Sequence, residues 1–143
     1  MNTPPGRIVA LRLCTATRAP MGGPAEAVAR ADFGLEGDRH ARPGSRRQVL
    51  LVDAAVLRAE GLQPGDLREN VTVEGLPVDG LPVGTRLRIG AGVLLRVTKN
   101  CEPCSRMDEI RPGLQERLRG RRGTLTAVEA GGVIRVGDAI LLA

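Results

Sequence analysis

The sequence predicts a mainly β fold: one domain of antiparallel strands closed into a barrel-like core, with two or three short helices. Three observations predict it. The apolar runs are short and cut by turn formers, with 19 Gly and 10 Pro among 143 residues. Several runs alternate with period two, as half-buried strands do. Helix signals are few and minor, and no strand–helix–strand alternation runs along the chain.

Residues 7–14, 27–33, 47–53, 68–75, 85–90, 93–99, 123–130 and 138–143 read as strands. In 85–90, Leu87 and Ile89 point one way while Arg86 and Arg88 point the other. That segment and 93–99 form a hairpin around the Gly-Ala-Gly turn at 90–92. Asp53 is an N-cap for a short helix that ends at Gly61. A second helix follows Pro112, with Leu114 and Leu118 one turn apart. Residues 20–24, Pro-Met-Gly-Gly-Pro, read as a flexible surface loop. No linker-like shift of composition and no internal repeat divides the chain, so 1–143 is expected to be one domain.

Composition excludes several classes. Hydrophobic residues at 42% and charged residues at 26% are a globular balance, which excludes a disordered or collagen-like chain. No apolar run approaches the ~18 residues of a spanning helix, so no membrane role is expected. The N-terminus has no basic segment ahead of an apolar run and does not read as a secretory signal, which suggests the cytoplasm. Phe33 is the single aromatic residue, so base or sugar stacking on rings is nearly excluded. The formal net charge is +5, and Lys99 is the one lysine, so 20 of the 21 basic residues are arginine. Such charge suits phosphates or other anions. The densest run, Arg111, Arg117, Arg119, Arg121 and Arg122, admits a nucleic-acid reading, but interleaved acids and the lack of a reading helix make that partner the weaker one.

Three cysteines without a secretory signal suggest free thiols in a reducing compartment. Cys14 sits in an apolar stretch and reads as a buried small hydrophobe. Cys101-Glu-Pro-Cys104 is a lone CxxC with four readings: half of a zinc site completed by Cys14 and His40, a redox dithiol, a turn without chemistry, or one reactive thiolate. Neither a second CxxC nor a His pair supports structural zinc, and none is expected. Lys99 and Arg106 favour a thiolate, while Glu102 and Asp108 oppose it.

Polar residues also cluster at Gly37-Asp38-Arg39-His40, which holds the only histidine, and at Gly65-Asp66-Leu67-Arg68-Glu69-Asn70. With LEGDRHA at 35–41, RRQVLLVDAAVL at 46–57, GDLRENVTVEGL at 65–76, LPVGTRLRIG at 81–90 and the cysteine segment, the chain resembles a MOSC domain over residues 34–138. That module closes molybdenum cofactor sulfurases and also occurs as small stand-alone bacterial proteins.

The resemblance implies a β-rich barrel and one acting cysteine that handles sulfur or the molybdenum cofactor. Cys104, after Pro103, stands at the matching position, whereas Cys101 is not general to the family. The implied function is a carrier of the cofactor or of persulfide sulfur. Its alternative is a small molybdenum-dependent reductase of N-hydroxylated compounds, in whose relatives the matching cysteine ligates molybdenum. A family-level association with pyridoxal phosphate goes with it. Implied partners are the molybdenum pterin or a sulfur donor protein, and a redox partner for a reductase.

Molybdenum and sulfane sulfur are thiophilic, so a thiolate is the fitting ligand. Cys104 is thus both the candidate nucleophile and the candidate metal ligand. His40 is a candidate proton carrier near neutral pH, with Asp38 to fix its tautomer. Arg68 and Asn70, in the segment that lies at the cofactor in relatives, together with Arg47 and Arg39, are the candidate cofactor-binding residues. A guanidinium grips the pterin's terminal phosphate better than an ammonium does.

Overall fold

The structure is a computed structural model that describes residues 4–15 and 21–143. Its central feature is a closed seven-stranded barrel of β1 (Gly6–Leu11), β10 (Ala139–Leu142), β6 (Arg86–Ile89), β7 (Val93–Asn100), β8 (Thr124–Ala130), β4 (Val49–Asp53) and β5 (Val71–Glu74), in that order. A three-stranded sheet of β3 (Gly34–Leu35), β2 (Glu26–Arg30) and β9 (Gly132–Arg135) stands beside it. The helices are α1 (Ala54–Glu60), α2 (Met107–Ile110) and α3 (Leu114–Arg117). No helix among the described residues is long and apolar enough to cross a membrane.

The pairing is antiparallel with one exception. β4 and β5 run parallel, with Leu51 opposite Val71 and Asp53 opposite Val73. A parallel pair needs a crossover rather than a tight turn, and α1 supplies it. As expected, Asp53 caps α1 by accepting from the Ala55 amide at 2.9 Å, and Gly61 ends the helix at φ 68°. The 85–99 hairpin also forms, with Ile89 opposite Val93 across the Gly-Ala-Gly turn.

Some expected strands are shorter. Residues 68–70 leave the strand because Arg68 takes a left-handed φ of 61° and its amide donates to the Gly65 carbonyl, closing a turn. The expected 27–33 strand reverses at Asp32, φ 49°, and returns as β3. β9 and α2 are additions that no periodicity announced. Of the 20–24 loop, Pro20 lies outside the described residues, and Gly22 pairs with Leu13.

β4 explains why the molecule has two cores. Its Val-Leu-Leu-Val run is buried throughout, because both faces of the strand are covered. Val49 and Leu51 point into the barrel with Ile8, Leu11, Val71, Leu87 and Leu95. Leu50 and Val52 point outward, into a second core with Val56, Leu67, Met107, Leu114, Leu118, Leu125 and Cys101. The cross-strand pair Leu50–Leu125 therefore forms an outward-facing apolar floor, packed against Leu67 of the turn that enters β5 and against the segment that follows β7.

Candidate functional site

A cleft opens over that floor. Its inner chamber, about 100 Å³, is lined by Leu50, Leu125, Asn70, Cys101, His40, Arg47, Arg68 and Arg122. Its outer chamber, about 370 Å³, adds Cys104, Arg106 and Met107, with Asp66 and Glu109 as its acids. A third hollow of about 230 Å³ shares His40 and Arg47 and adds Arg39, Arg42 and Ser45. Four sequence segments thus meet: the 38–40 turn, the 65–70 turn, the 101–107 segment and the loop before β8.

Each arrives for a local reason. β7 ends at Asn100, and the Cys101 amide then donates to the Gly123 carbonyl at 3.0 Å, which sets the cysteine segment beside the β8 entry. Gly123 sits at φ 112°, and an added Cβ would lie 2.5 Å from the Leu51 carbonyl oxygen, so only glycine lets Arg122 enter this close to β4. Cys101 is buried at the floor, while Cys104 is exposed at the outer chamber. Among the described residues no disulfide joins any of the three cysteines.

Asp38 and Asn70 organise the inner wall. The Asn70 Oδ1 accepts from the Leu50 amide at 3.0 Å, and its Nδ2 donates to Asp38 Oδ1 at 3.1 Å and to the Arg12 carbonyl at 3.2 Å. Asp38 Oδ1 also accepts from the Cys14 amide at 2.7 Å, and Oδ2 from the His40 amide at 3.1 Å, with His40 Nδ1 at 3.5 Å. Burial pushes the Asp38 carboxyl up, but the His40 ring and the backbone donors outweigh it, and the net displacement is downward. Asp38 is therefore an anion that can orient the His40 ring. Asn70 lines the inner chamber with both of its N–H donors engaged by the protein.

The guanidinium groups divide. Arg68 Nη2 lies 2.8 Å from the Cys14 sulfur, which ties the 65–70 turn to the first strand's exit. Arg47 is exposed on the rim, and Arg39 lines the third hollow and neither of the two chambers that hold the thiols. Arg111, Arg117 and Arg121 do not present a basic stripe. All three converge on the Glu60 carboxylate, whose side chain is 1% exposed, at 2.7, 2.7 and 2.6 Å. Hydrogen bonds from Arg117 and Arg121 pull the Glu60 carboxyl down to about 2. Arg119 pairs with Glu116 at 2.6 Å.

Arg122, from the same run, goes inward. It is 7% exposed and lines both thiol chambers, and among the described residues its Nε and Nη1 have no hydrogen-bond partner. Behind it, Glu69 is fully buried with Oε1 likewise unpartnered and Oε2 accepting from the Thr72 hydroxyl at 3.2 Å. Burial raises the Glu69 carboxyl despite its hydrogen bonds and the nearby Arg122 charge. Neither residue stood out in the sequence as part of the site.

These features define a class: a small β-barrel protein with an exposed thiol on an arginine-lined cleft. The MOSC domain model matches residues 38–141, and the chain belongs to that family, which is associated with the molybdenum cofactor. The structure is similar to the YuaD protein from Bacillus subtilis, with a TM-score of 0.81 at 20% identity over 97% of this chain and 96% of that one. It is also similar to YiiM from Geobacillus stearothermophilus, with a TM-score of 0.73 at 20% identity over 97% and 75% of the two chains. YiiM from Escherichia coli gives a TM-score of 0.67 at 20% identity over 96% and 69%. At these identities the likeness concerns the fold. No curated protein matches the chain.

Proposed function

We propose that the protein is a thiol-based carrier: Cys104 holds a soft, sulfur-loving group, either sulfane sulfur as a persulfide or the molybdenum of the pterin cofactor. One observation carries this reading. Cys104 is the exposed thiol of the chain, and it opens on a chamber whose wall includes Arg47, Arg68, Arg106, Arg122 and His40. A thiol must be reachable to exchange its cargo.

The cofactor fits the residues present. The buried Arg122 guanidinium has free donors that suit the pterin's phosphate, with Arg47 on the rim. The outer chamber has the size of a small-molecule pocket, which starts at roughly 300 Å³. When bound, the group would supply a thiophilic, redox-active metal for which Cys104 is the soft ligand. His40, oriented by Asp38, would hold or pass a proton at the edge of the same chamber.

The test is expression in a host that makes the molybdenum pterin, wild type beside Cys104→Ala, with metal, pterin and intact-mass analysis of both. Wild type is expected to retain molybdenum with pterin, or to gain about 32 Da per sulfur on Cys104 from a persulfide donor. Cys104→Ala is expected to lose either signal. Equal cargo on the two proteins overturns the reading.

A further inference from the structure

Arg122 poses a physical problem. A charged guanidinium taken out of water is costly unless its donors are satisfied, and here Nε and Nη1 are not. Glu69 does not resolve it. Its carboxylate is held by Thr72 and by backbone amides, and burial favours its neutral form, so it offers Arg122 less than a full countercharge. The other arginines of the run are captured by Glu60 and Glu116. Arg122 is left with open donors in the chamber that also contains the exposed thiol. An anion satisfies such donors, and an anion that carries its own transferable sulfur would bring that atom to Cys104.

Building on the sulfur-carrying form of the function proposed above, we propose that the cleft takes an anionic sulfane donor of the thiosulfonate class, with thiosulfate its simplest member. The sulfonate oxygens accept from Arg122, with Arg47 and Arg68 flanking, and the outer sulfur faces Cys104. The Cys104 thiolate attacks that outer sulfur. A bond forms between Sγ and the outer sulfur, and the bond from the outer sulfur to the sulfonate sulfur breaks. Its electron pair leaves on sulfite. The cysteine sulfur is oxidised to the persulfide level and the sulfonate sulfur is reduced to sulfite, so no further oxidant or reductant is needed. If Cys104 starts as the thiol, its proton passes to solvent, which reaches it directly. The two acids of the outer chamber, Asp66 and Glu109, repel a dianion, and the arginine side of the chamber is the side it is expected to occupy.

The experiment incubates the purified protein with thiosulfate and follows sulfite release and intact mass. In parallel it uses an alkyl persulfide, which has no oxyanion for Arg122 to hold. Wild type is expected to release sulfite and gain about 32 Da at Cys104. Arg122→Gln is expected to lose at least about tenfold in kcat/KM for thiosulfate while loading from the alkyl persulfide at the wild-type rate. Sulfate, a like-charged oxyanion without a transferable sulfane sulfur, is expected to compete with thiosulfate and not with the alkyl persulfide. That arm needs no variant, so it stands if Arg122→Gln does not fold. Loading from the alkyl persulfide with none from thiosulfate overturns the donor class and leaves the carrier reading intact. No loading from either donor overturns both. Thiosulfate transfer that is indifferent to Arg122→Gln and to sulfate overturns the anion seat.

Discussion

Asn70 and Arg68 sit two residues apart in one turn and do opposite things. Asn70 satisfies the Leu50 amide of β4, the buried Asp38 carboxylate and the Arg12 carbonyl with three side-chain hydrogen bonds. Truncation leaves the Leu50 amide and a carboxylate oxygen short of partners in a buried setting. Asn70→Ala is therefore expected to cost about 3 kcal/mol in urea unfolding. Arg68 is held at φ 61°, a conformation that a residue with a Cβ reaches at a cost. Arg68→Gly is expected to be more stable than Arg68→Ala by about 1 kcal/mol, since glycine alone adopts that φ freely. Matched melts of the two variants check this, and equal stabilities would mean the turn relaxes. Such strain beside a cleft, kept by an arginine that reaches the Cys14 sulfur, is typical of positions whose side chain is needed where it is.

The elements around the thiols are held by charge rather than by length. α2 and α3 are four residues each, too short to be stable alone. Leu114, Leu118 and Met107 bury their apolar side against the second core. Glu60, at the end of α1, pins the rest through Arg111, Arg117 and Arg121. Because its folded carboxyl titrates near 2 against an ordinary 4.5, the anchor's stabilisation is complete above pH ~4.5. It is lost as pH falls toward 2, where the folded carboxylate also takes a proton. Glu60→Gln is expected to flatten the acid side of the melting-temperature profile over that window. It is also expected to speed amide exchange in residues 107–118 with little change in β1 or β6. An unchanged acid profile would show that the three arginines contribute nothing to the fold. Arg111, Arg117 and Arg121, from the run that admitted a nucleic-acid reading, form in the folded chain an intramolecular tether for the helices that follow Cys104.

For the whole molecule, the critical contact is the approach of the β8 entry to β4. A Cβ on Gly123 would lie 2.5 Å from the Leu51 carbonyl oxygen, the Gly123 amide donates to Asp79 Oδ1 at 3.0 Å, and its carbonyl accepts from the Cys101 amide. This one residue joins barrel closure to both sides of the cleft. Gly123→Ala places a methyl against backbone that cannot give way and is expected to cost at least ~3 kcal/mol, or to yield insoluble chain. Wild-type stability in that variant, measured by urea unfolding, would mean the barrel seam is looser than its distances indicate.

The strands were legible along the chain because alternation and glycine breaks are local signals. So were the Asp53 and Gly61 caps, and the order of motifs that placed Cys104, His40 and Arg68 in one family pattern. β9 was not, because it starts on glycine and leaves Val133 exposed. α2 was not, because four residues in a polar stretch carry no period. Arg122 shows the limit most clearly. Its neighbours are chemically the same residue, and nothing nearby in the chain says which arginine turns inward. The choice follows from Glu60, some sixty positions away from Arg121, taking three of the five, from Glu116 taking Arg119, and from the glycine that brings Arg122 close to β4. Residue type and local pattern set the β class and the thiol. The unpartnered Arg122 donors beside that thiol arise from long-range contacts, because charge pairing in a folded chain is decided by distance in space.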